Sequence, residues 1–342
     1  MGVALKDLIV GKELSLKNLS GKVICMDTSM LLYQFLTTIR QADGDYFTDS
    51  KGNVTSHLIG LMSRISRLMR EGLKLVFVFD GKPPQLKQQE LERRKSAKTQ
   101  ALSKYKEAAI EKDTVEMKKY AARATRVTPE ILAETKRLVT AFGLPIVEAP
   151  SEAEAQATYM VKQGDAYAVA TQDADPLMFG CPKVIRNLSL VGKHKKSNKL
   201  DYQTYKPELF ELSEVLNGLG IDHQQFILLC ILIGTDFNPG GIKGIGPKNA
   251  LKYVKEQKDK EALITELGEK ITFDFNEVYN VVTNIPTTNK YHLEWKDVDA
   301  EAIKKLLIHE HEFSPQRVED MLNALQEYSN AKRQTSLSAF IS

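Results

Sequence analysis

Four short apolar runs, separated by helical or strongly charged sequence, constrain the fold more than any other feature. Residues 22–26, 74–79, 145–147 and 166–170 are rich in Val, Ile and Phe or uniformly apolar, and read as buried strands. Between the first two, Leu58, Leu61, Met62, Ile65, Leu68 and Met69 recur on one helical stripe that Gly72 breaks. Before the third, residues 129–142 read as a helix closed by Gly143 and Pro145. Strands alternating with helices predict an α/β fold with a mainly parallel central sheet, to which residues 184–190 offer a further strand. At 342 residues the chain can bury a large core as one domain or two.

Acid stands at the end of each run. Asp27 closes the first and Asp80 the second; Glu152 and Glu154 follow the third, and Asp173 and Asp175 the fourth. Asp236 follows residues 226–233, the most apolar stretch in the chain. Ligands of open parallel sheets bind beyond the carboxyl ends of the strands, so separate segments deliver carboxylates to one rim, where like charges require a cation. Each acid also has a plainer reading. Asp27 suits an N-cap and Asp80 a turn. Ser151 with Glu154 fits a capping box, Ser151 as N-cap and Glu154 reaching back. Asp173 and Asp175 point to one side if the extended backbone continues. The plainer readings must hold independently, whereas one metal site explains every place at once.

A carboxylate set without histidine suits Mg²⁺ or Mn²⁺ rather than Zn²⁺. Two such ions about 3.5–4 Å apart would serve the attacking and leaving oxygens of an in-line phosphoryl displacement. No protein nucleophile is evident, since Cys25 lies in a strand with no His nearby in sequence.

The net charge of +3 conceals an asymmetry. Residues 82–126 hold 13 Lys/Arg against 6 Asp/Glu and residues 183–199 hold 6 Lys/Arg and no acid, so these stretches carry +7 and +6 and leave −10 for the rest. Basic surfaces around an acidic pocket suit a polyanion that must meet a metal site, although either run alone reads as a solvated helix face. Residues 85–124 contain no Pro or Gly and no clean apolar stripe, which predicts a helical excursion over the sheet rim. Residues from 330 onward read as a loose tail.

Three cysteines without zinc spacing suggest a reduced compartment, and Cys25 and Cys181 read as small hydrophobes. His309 and His311, two apart among charged residues, read as surface. The first residues lack the apolar length of a signal peptide, and no run approaches membrane-spanning length, so no membrane partner is expected.

Residues 240–248 form a second motif, with glycines at 240, 241, 244 and 246. Pro247 stands where an NTPase phosphate loop requires Lys, and Asn249 replaces the last Gly of a dinucleotide fingerprint. Helices at 222–233 and 247–255 make it a helix–hairpin–helix, whose glycines let backbone approach a phosphate and whose helix start supplies N–H donors. Lys243, Lys248 and Lys252 add charge, so the element grips a duplex backbone without reading sequence. A tight turn between packed helices is the plainer alternative.

The stretches Asp80-Gly81-Lys82-Pro83-Pro84-Gln85-Leu86-Lys87, Ala149-Pro150-Ser151-Glu152-Ala153-Glu154-Ala155-Gln156 and Gly244-Ile245-Gly246-Pro247-Lys248 together resemble the flap endonucleases of the 5′-nuclease (XPG/Rad2-like) superfamily, archaeal type, over the whole chain. The resemblance implies a PIN-like 5′-nuclease fold with a helical arch and a helix–hairpin–helix. The implied divisions are an N-terminal nuclease region at 1–98, an arch at 82–130 and an internal region at 116–258 containing the hairpin at 217–258. A helical part at 259–329 and a tail at 330–342 follow.

By the same resemblance the seven acids fall on metal-ligand positions for two Mg²⁺, with Mn²⁺ as substitute. Lys87 and Arg94 fall on catalytic basic positions, and Tyr33 on a base-stacking aromatic. Arg64, Arg67, Lys243, Gly244, Gly246 and Lys248 fall on DNA-binding positions, with a K⁺ ion assisting the hairpin. Gln334, Leu337, Phe340 and Ile341 fall on the motif that plugs into the sliding clamp, PCNA. Ala174, Pro176 and Ile341 depart from the family pattern. The implied activity is structure-specific 5′ flap cleavage with 5′–3′ exonuclease activity, in Okazaki-fragment processing and DNA repair, by a monomer. The compartment is cytoplasmic for an archaeal chain and nuclear for a eukaryotic one. Nucleotide-excision, exonuclease and Holliday-junction siblings are the near rivals; a non-catalytic clamp-associated DNA-binding protein and an RNA-cutting nuclease are the distant ones.

Overall fold

Alternation along the strands divides the interior into two cores. In β2 (Val23–Asp27) and β3 (Lys74–Phe79), Ile24, Met26, Leu75, Phe77 and Phe79 face one side of the sheet and Cys25, Val76 and Val78 the other, as the pleat requires. The computed structural model describes Val3, Leu5 and residues 8–190, 192–195, 202–257 and 259–341; the side chains at 190, 192–195, 202–204 and 332–341 lie outside that description.

The main sheet has seven strands in the order β1 (Lys12–Glu13), β9 (Glu208–Glu211), β6 (Lys183–Arg186), β5 (Ala168–Ala170), β2, β3 and β4 (Ile146–Glu148). From β6 to β4 all neighbours are parallel, while β9 and β1 close one edge antiparallel. β7 (Gly192–Lys195) and β8 (Tyr202–Tyr205) pair separately. The α/β reading is therefore correct, and residues 188–190 form a short turn of helix where a strand was expected. The chain winds outward from β2 through β3 to β4, then returns to place β5 on the other side of β2. The crevice between β2 and β5 is thus a topological switch point.

One face of the sheet is covered by α1 (Thr28–Thr38), α2 (Ser56–Arg70), α5 (Pro129–Ala141), α13 (Ala300–Lys304) and α14 (Pro315–Ile341). The other is covered by α6 (Ala153–Lys162), α7 (Asp175–Met178), α8 (Leu212–Leu219), α9 (His223–Ile233), α10 (Pro247–Glu256), α11 (Lys260–Leu267) and α12 (Phe275–Thr283). Between β3 and α5 the charged excursion folds as two helices, α3 (Gln88–Glu111) and α4 (Thr114–Arg123). Lys112 ends α3 in the left-handed conformation, and the Asp113 carboxylate caps α4 by accepting from the Val115 and Glu116 N–H groups. Their buried side chains are Ala101, Ala108 and Ala121 together with Glu90, so the pair stands clear of both cores.

The C-terminal part completes the first half of the chain. The Trp295 indole N–H donates to the Leu75 carbonyl at 3.0 Å, and Ile303, Leu306, Leu307, Val318 and Leu325 are buried in the same core as β3. His311 is buried, contrary to the surface reading: Nδ1 lies 3.0 Å from Asp49 Oδ2 and Nε2 lies 3.2 Å from Glu134 Oε1. His57 Nε2 approaches the other Glu134 oxygen at 3.0 Å. Burial works against ionisation of Asp49, yet hydrogen bonds from Asn53, His311 and Lys51 outweigh it and hold the carboxyl at about 2. The backbone of 330–341 continues α14 as helix where a loose tail was expected.

Candidate active site

Five parallel strands place their carboxyl ends on one edge, and acids line it around the switch point. Asp27 ends β2 and caps α1, its Oδ1 accepting from the Met30 N–H at 3.0 Å. Its Oδ2 lies 3.3 Å from the Thr171 hydroxyl, which is 2.8 Å from Glu154 Oε1. A hydroxyl carries one hydrogen, so Thr171 cannot donate fully to both carboxylates. Asp173 donates its N–H to the same Thr171 oxygen at 3.2 Å. Asp175 does not continue an extended strand: Ala174 is helical, α7 starts at Asp175, and its carboxylate turns inward to accept from the Val3 N–H at 3.0 Å.

Asp80 supplies a cap across the sheet. Its Oδ1 accepts from the Ala153 N–H at 2.8 Å and its Oδ2 from the Ser29 hydroxyl at 2.5 Å. The capping box expected at Ser151 is absent: Glu152 is the N-cap of α6 and makes no side-chain cap bond. A carboxylate from another strand has taken the orphan N–H, which releases Glu152 to pair with Lys87 and Glu154 to meet Thr171. Gly81 makes this possible, because a Cβ there would lie 2.1 Å from the Ala149 carbonyl oxygen.

Burial first, and then crowding, raises the proton affinity of Asp27, Glu152, Glu154 and Asp175. Burial, then the Asp80 and Asp173 charges, pushes Asp27 up to about 7. Burial and then Asp173 push Asp175 up to about 7. Glu154 is raised well above the carboxylate range by burial and by Asp27, Asp175 and Asp173. Burial also raises Glu152 against the pull of Lys87. Among the described residues no three acids converge closely enough to enclose an ion unaided. An open array of oxygen donors, crowded enough to retain protons without a counter-charge, fits a hard divalent cation that keeps part of its water.

The cationic side comes from the foot of α3. Lys87 pairs with Glu152 and lies 3.2 Å from Asp236 Oδ2. Arg94 Nη2 donates to Asp236 Oδ1 at 2.5 Å, while its Nε donates to Glu90 Oε1 at 2.6 Å. Burial would lower Lys87, but Glu152 and Asp236 outweigh it and hold the ammonium protonated. Tyr33, on α1, is 36% exposed with the Lys98 ammonium 5.3 Å from its ring centre. On α2, Arg64 is half-buried and its pKa is lowered by burial and by Arg67.

The hairpin between α9 and α10 divides its glycines by task. A Cβ on Gly241 would meet the Leu232 carbonyl oxygen at 2.3 Å, so this glycine serves the turn. Gly244 and Gly246 face open space, exposed with Lys243 and Lys248 at the start of α10. The side chains of Gln334, Leu337, Phe340 and Ile341 lie outside the described residues.

The structure therefore gathers the seven acids, Lys87 and Arg94 at one rim and presents the hairpin separately. Sequence reading missed Ser29, Thr171 and Glu90. The first two follow a strand end by two residues and by one, a detectable position; Glu90 is one acid within a charged run and gave no signal.

Family models match residues 1–101 (XPG N-terminal domain) and 143–236 (XPG I-region). The chain is 48% identical over 340 residues to Flap endonuclease 1 of Pyrococcus abyssi, covering 99% of this chain and 98% of the relative. It is 46% identical over 330 residues to the Hyperthermus butylicus protein of the same name, covering 95% and 94%. Among solved structures, flap endonuclease-1 from Methanococcus jannaschii superposes with a TM-score of 0.75 at 37% identity, covering 97% of this chain and 100% of that one. The catalytic core of Rad2 in complex with DNA substrate shares the fold, with a TM-score of 0.68 at 22% identity over 92% of this chain and 96% of that one.

Proposed function

The chain belongs to the XPG/Rad2 family of flap endonucleases, and from that premise we propose that it cuts phosphodiesters near single-strand/duplex junctions with two divalent cations held by the acid rim. The family is a nuclease family that uses divalent metal ions; Mg²⁺ as the working ion, Mn²⁺ as its substitute and K⁺ at the hairpin are our reading. When bound, the cations would supply an activated water and charge neutralisation for an in-line displacement.

The residues of this chain do the rest. Asp27, Asp80, Glu152, Glu154, Asp173, Asp175 and Asp236 offer the oxygen donors. Lys87 and Arg94 reach the same rim from the arch foot, where they would bind the scissile phosphate and stabilise charge as it develops. Tyr33 provides a face on which a base can stack without regard to sequence. Gly244, Gly246, Lys243 and Lys248 offer backbone N–H groups and charge to duplex phosphates, with Arg64 and Arg67 as further contacts. We assign the tail at 334–342 to a sliding clamp and the working form to a cytoplasmic monomer.

The contact of Lys87 and Arg94 with Asp236 carries this reading, because it brings phosphate-binding cations to the metal-binding acids. The Asp173→Ala protein should bind a flap substrate without cutting it in Mg²⁺. Undiminished cutting would remove the metal assignment, and faster cutting of a bubble or four-way junction than of a flap would favour a sibling activity.

A further inference from the structure

Glu90 is a buried carboxylate, 3% exposed, set among side chains whose work is to bind an anion. Its placement demands a reason, since a lone carboxylate there would repel the phosphate and partly cancel Arg94. It is not alone. Arg93 Nε donates to Glu90 Oε2 at 2.6 Å and Arg93 Nη2 to Oε1 at 2.8 Å, a two-pronged pair, while Arg94 Nε donates to the same Oε1 at 2.6 Å. These bonds, that from Arg93 first, hold the Glu90 carboxyl at about 2, so it stays ionised at any working pH.

The charges sum to +1. Arg93 neutralises Glu90, and Arg94 keeps its full charge. Arg94 is gripped by Nε, the inner edge of its guanidinium, and only the terminal nitrogens extend to the rim, where Nη2 meets Asp236. All three residues lie within about one turn of α3, at i, i+3 and i+4, so the arrangement is rigid once the helix forms. An arginine side chain otherwise loses rotamer entropy before it can present a fixed fork.

We propose that Glu90 is a positioning residue for phosphodiester cleavage: with Arg93 as its counter-ion, it tethers the inner edge of Arg94 so that the terminal nitrogens are held ready for the scissile phosphate when Asp236 is drawn into other bonds. The inference rests on the proposed phosphate-binding role of Arg94 and assigns to Arg93 a neutralising task in place of direct phosphate contact.

The test is a double-mutant cycle on the full-length protein, using single-turnover cleavage of a flap substrate in Mg²⁺. Glu90→Gln keeps the shape, so α3 still forms, but it removes the charge and sets an NH₂ against an arginine N–H, since both carboxylate oxygens accept from arginine; thermal unfolding within a few degrees of wild type confirms that the fold is kept. We expect a cleavage rate lower by about 10- to 100-fold, the scale of a misplaced catalytic group. The dissociation constant for flap DNA in EDTA should stay within about twofold, because the overall grip lies elsewhere. The decisive readout is coupling: in an Arg94→Ala background, Glu90→Gln should cost nothing further. Equal losses in both backgrounds, or an unchanged rate in Glu90→Gln alone, would overturn the tether. If Arg94→Ala itself cut at the wild-type rate, the proposed role of Arg94 would fail instead, and the two failures are distinct.

Discussion

The carboxylate of Asp80 caps the helix that Ala153 begins, although the two residues lie 73 positions apart. One side chain therefore fixes the start of α6 and stands in the acid rim, and the tasks are separable. Asp80→Asn retains an acceptor oxygen for Ala153, whereas Asp80→Ala loses it. We expect Asp80→Ala to lower unfolding stability by about 1 kcal/mol and Asp80→Asn by much less. Both should lose flap cleavage, since neither carries the charge. Denaturant titration alongside a cleavage assay gives both readings.

Gly81 is the steric condition for that cap. Its substitution by Ala would drive a methyl into the Ala149 carbonyl oxygen, a backbone atom that cannot swing aside. Separation of the two loops should cost about 1–3 kcal/mol in stability and weaken divalent-metal binding, because Asp80 and Glu152 lie on opposite sides of the contact. Wild-type metal affinity in Gly81→Ala, measured by calorimetry, would contradict the arrangement.

The metal-free acid rim should be visible in its protons. Asp27 and Asp175 rise from an ordinary value of 3.8 to about 7. A carboxyl raised on folding binds more protons in the folded state between those limits. Its contribution to stability is full below about 4 and is lost as pH rises through about 7. Metal binding requires the ionised forms, so Mg²⁺ affinity should increase from pH 6 to pH 8 with release of protons. Calorimetric titration in buffers of different ionisation heat measures that release, and Asp27→Asn should reduce it.

The hairpin and the arch foot should differ in salt dependence. Lys243→Ala and Lys248→Ala should weaken duplex binding of every sequence alike and each reduce the salt slope by about 1. Glu90→Gln should leave the slope unchanged. Binding isotherms across a salt series, in EDTA, distinguish the two sites.

The tail makes a separable contribution. A chain ending at residue 333 should cut a free flap substrate at the wild-type rate and lose any stimulation by a sliding clamp. Stimulation that survives the truncation would place the clamp contact elsewhere.

Strands buried on both faces were legible because each of β2, β3 and β5 is an apolar run with little to confuse it. β9 was not, since Glu208-Leu209-Phe210-Glu211 is short and charged at both ends, and only the two-residue β1 separates it from the edge of the sheet. Asp27, Asp80 and Asp173 could be placed from strand ends alone. The true cap of α6 could not, because local sequence offered Ser151 and the answer came from a distant strand. Local rules also failed at His311: its charged neighbours suggest solvent, but its partners Asp49 and Glu134 are more than 170 residues away. Glu90 failed for the reverse reason: its partners Arg93 and Arg94 are neighbours on its own helix, in a charged run where one acid does not stand out.

The C-terminal part has a consequence for how the molecule is made. β3 receives its indole partner from Trp295, and the core beneath α2 is closed by Val318 and Leu325. The half of the chain translated first therefore holds apolar surface that only the half translated last can cover. Such sequence-distant closure slows folding, and on a ribosome the early strands must wait, exposed, for the end of synthesis. The fold is thus laid down in one order and sealed in another.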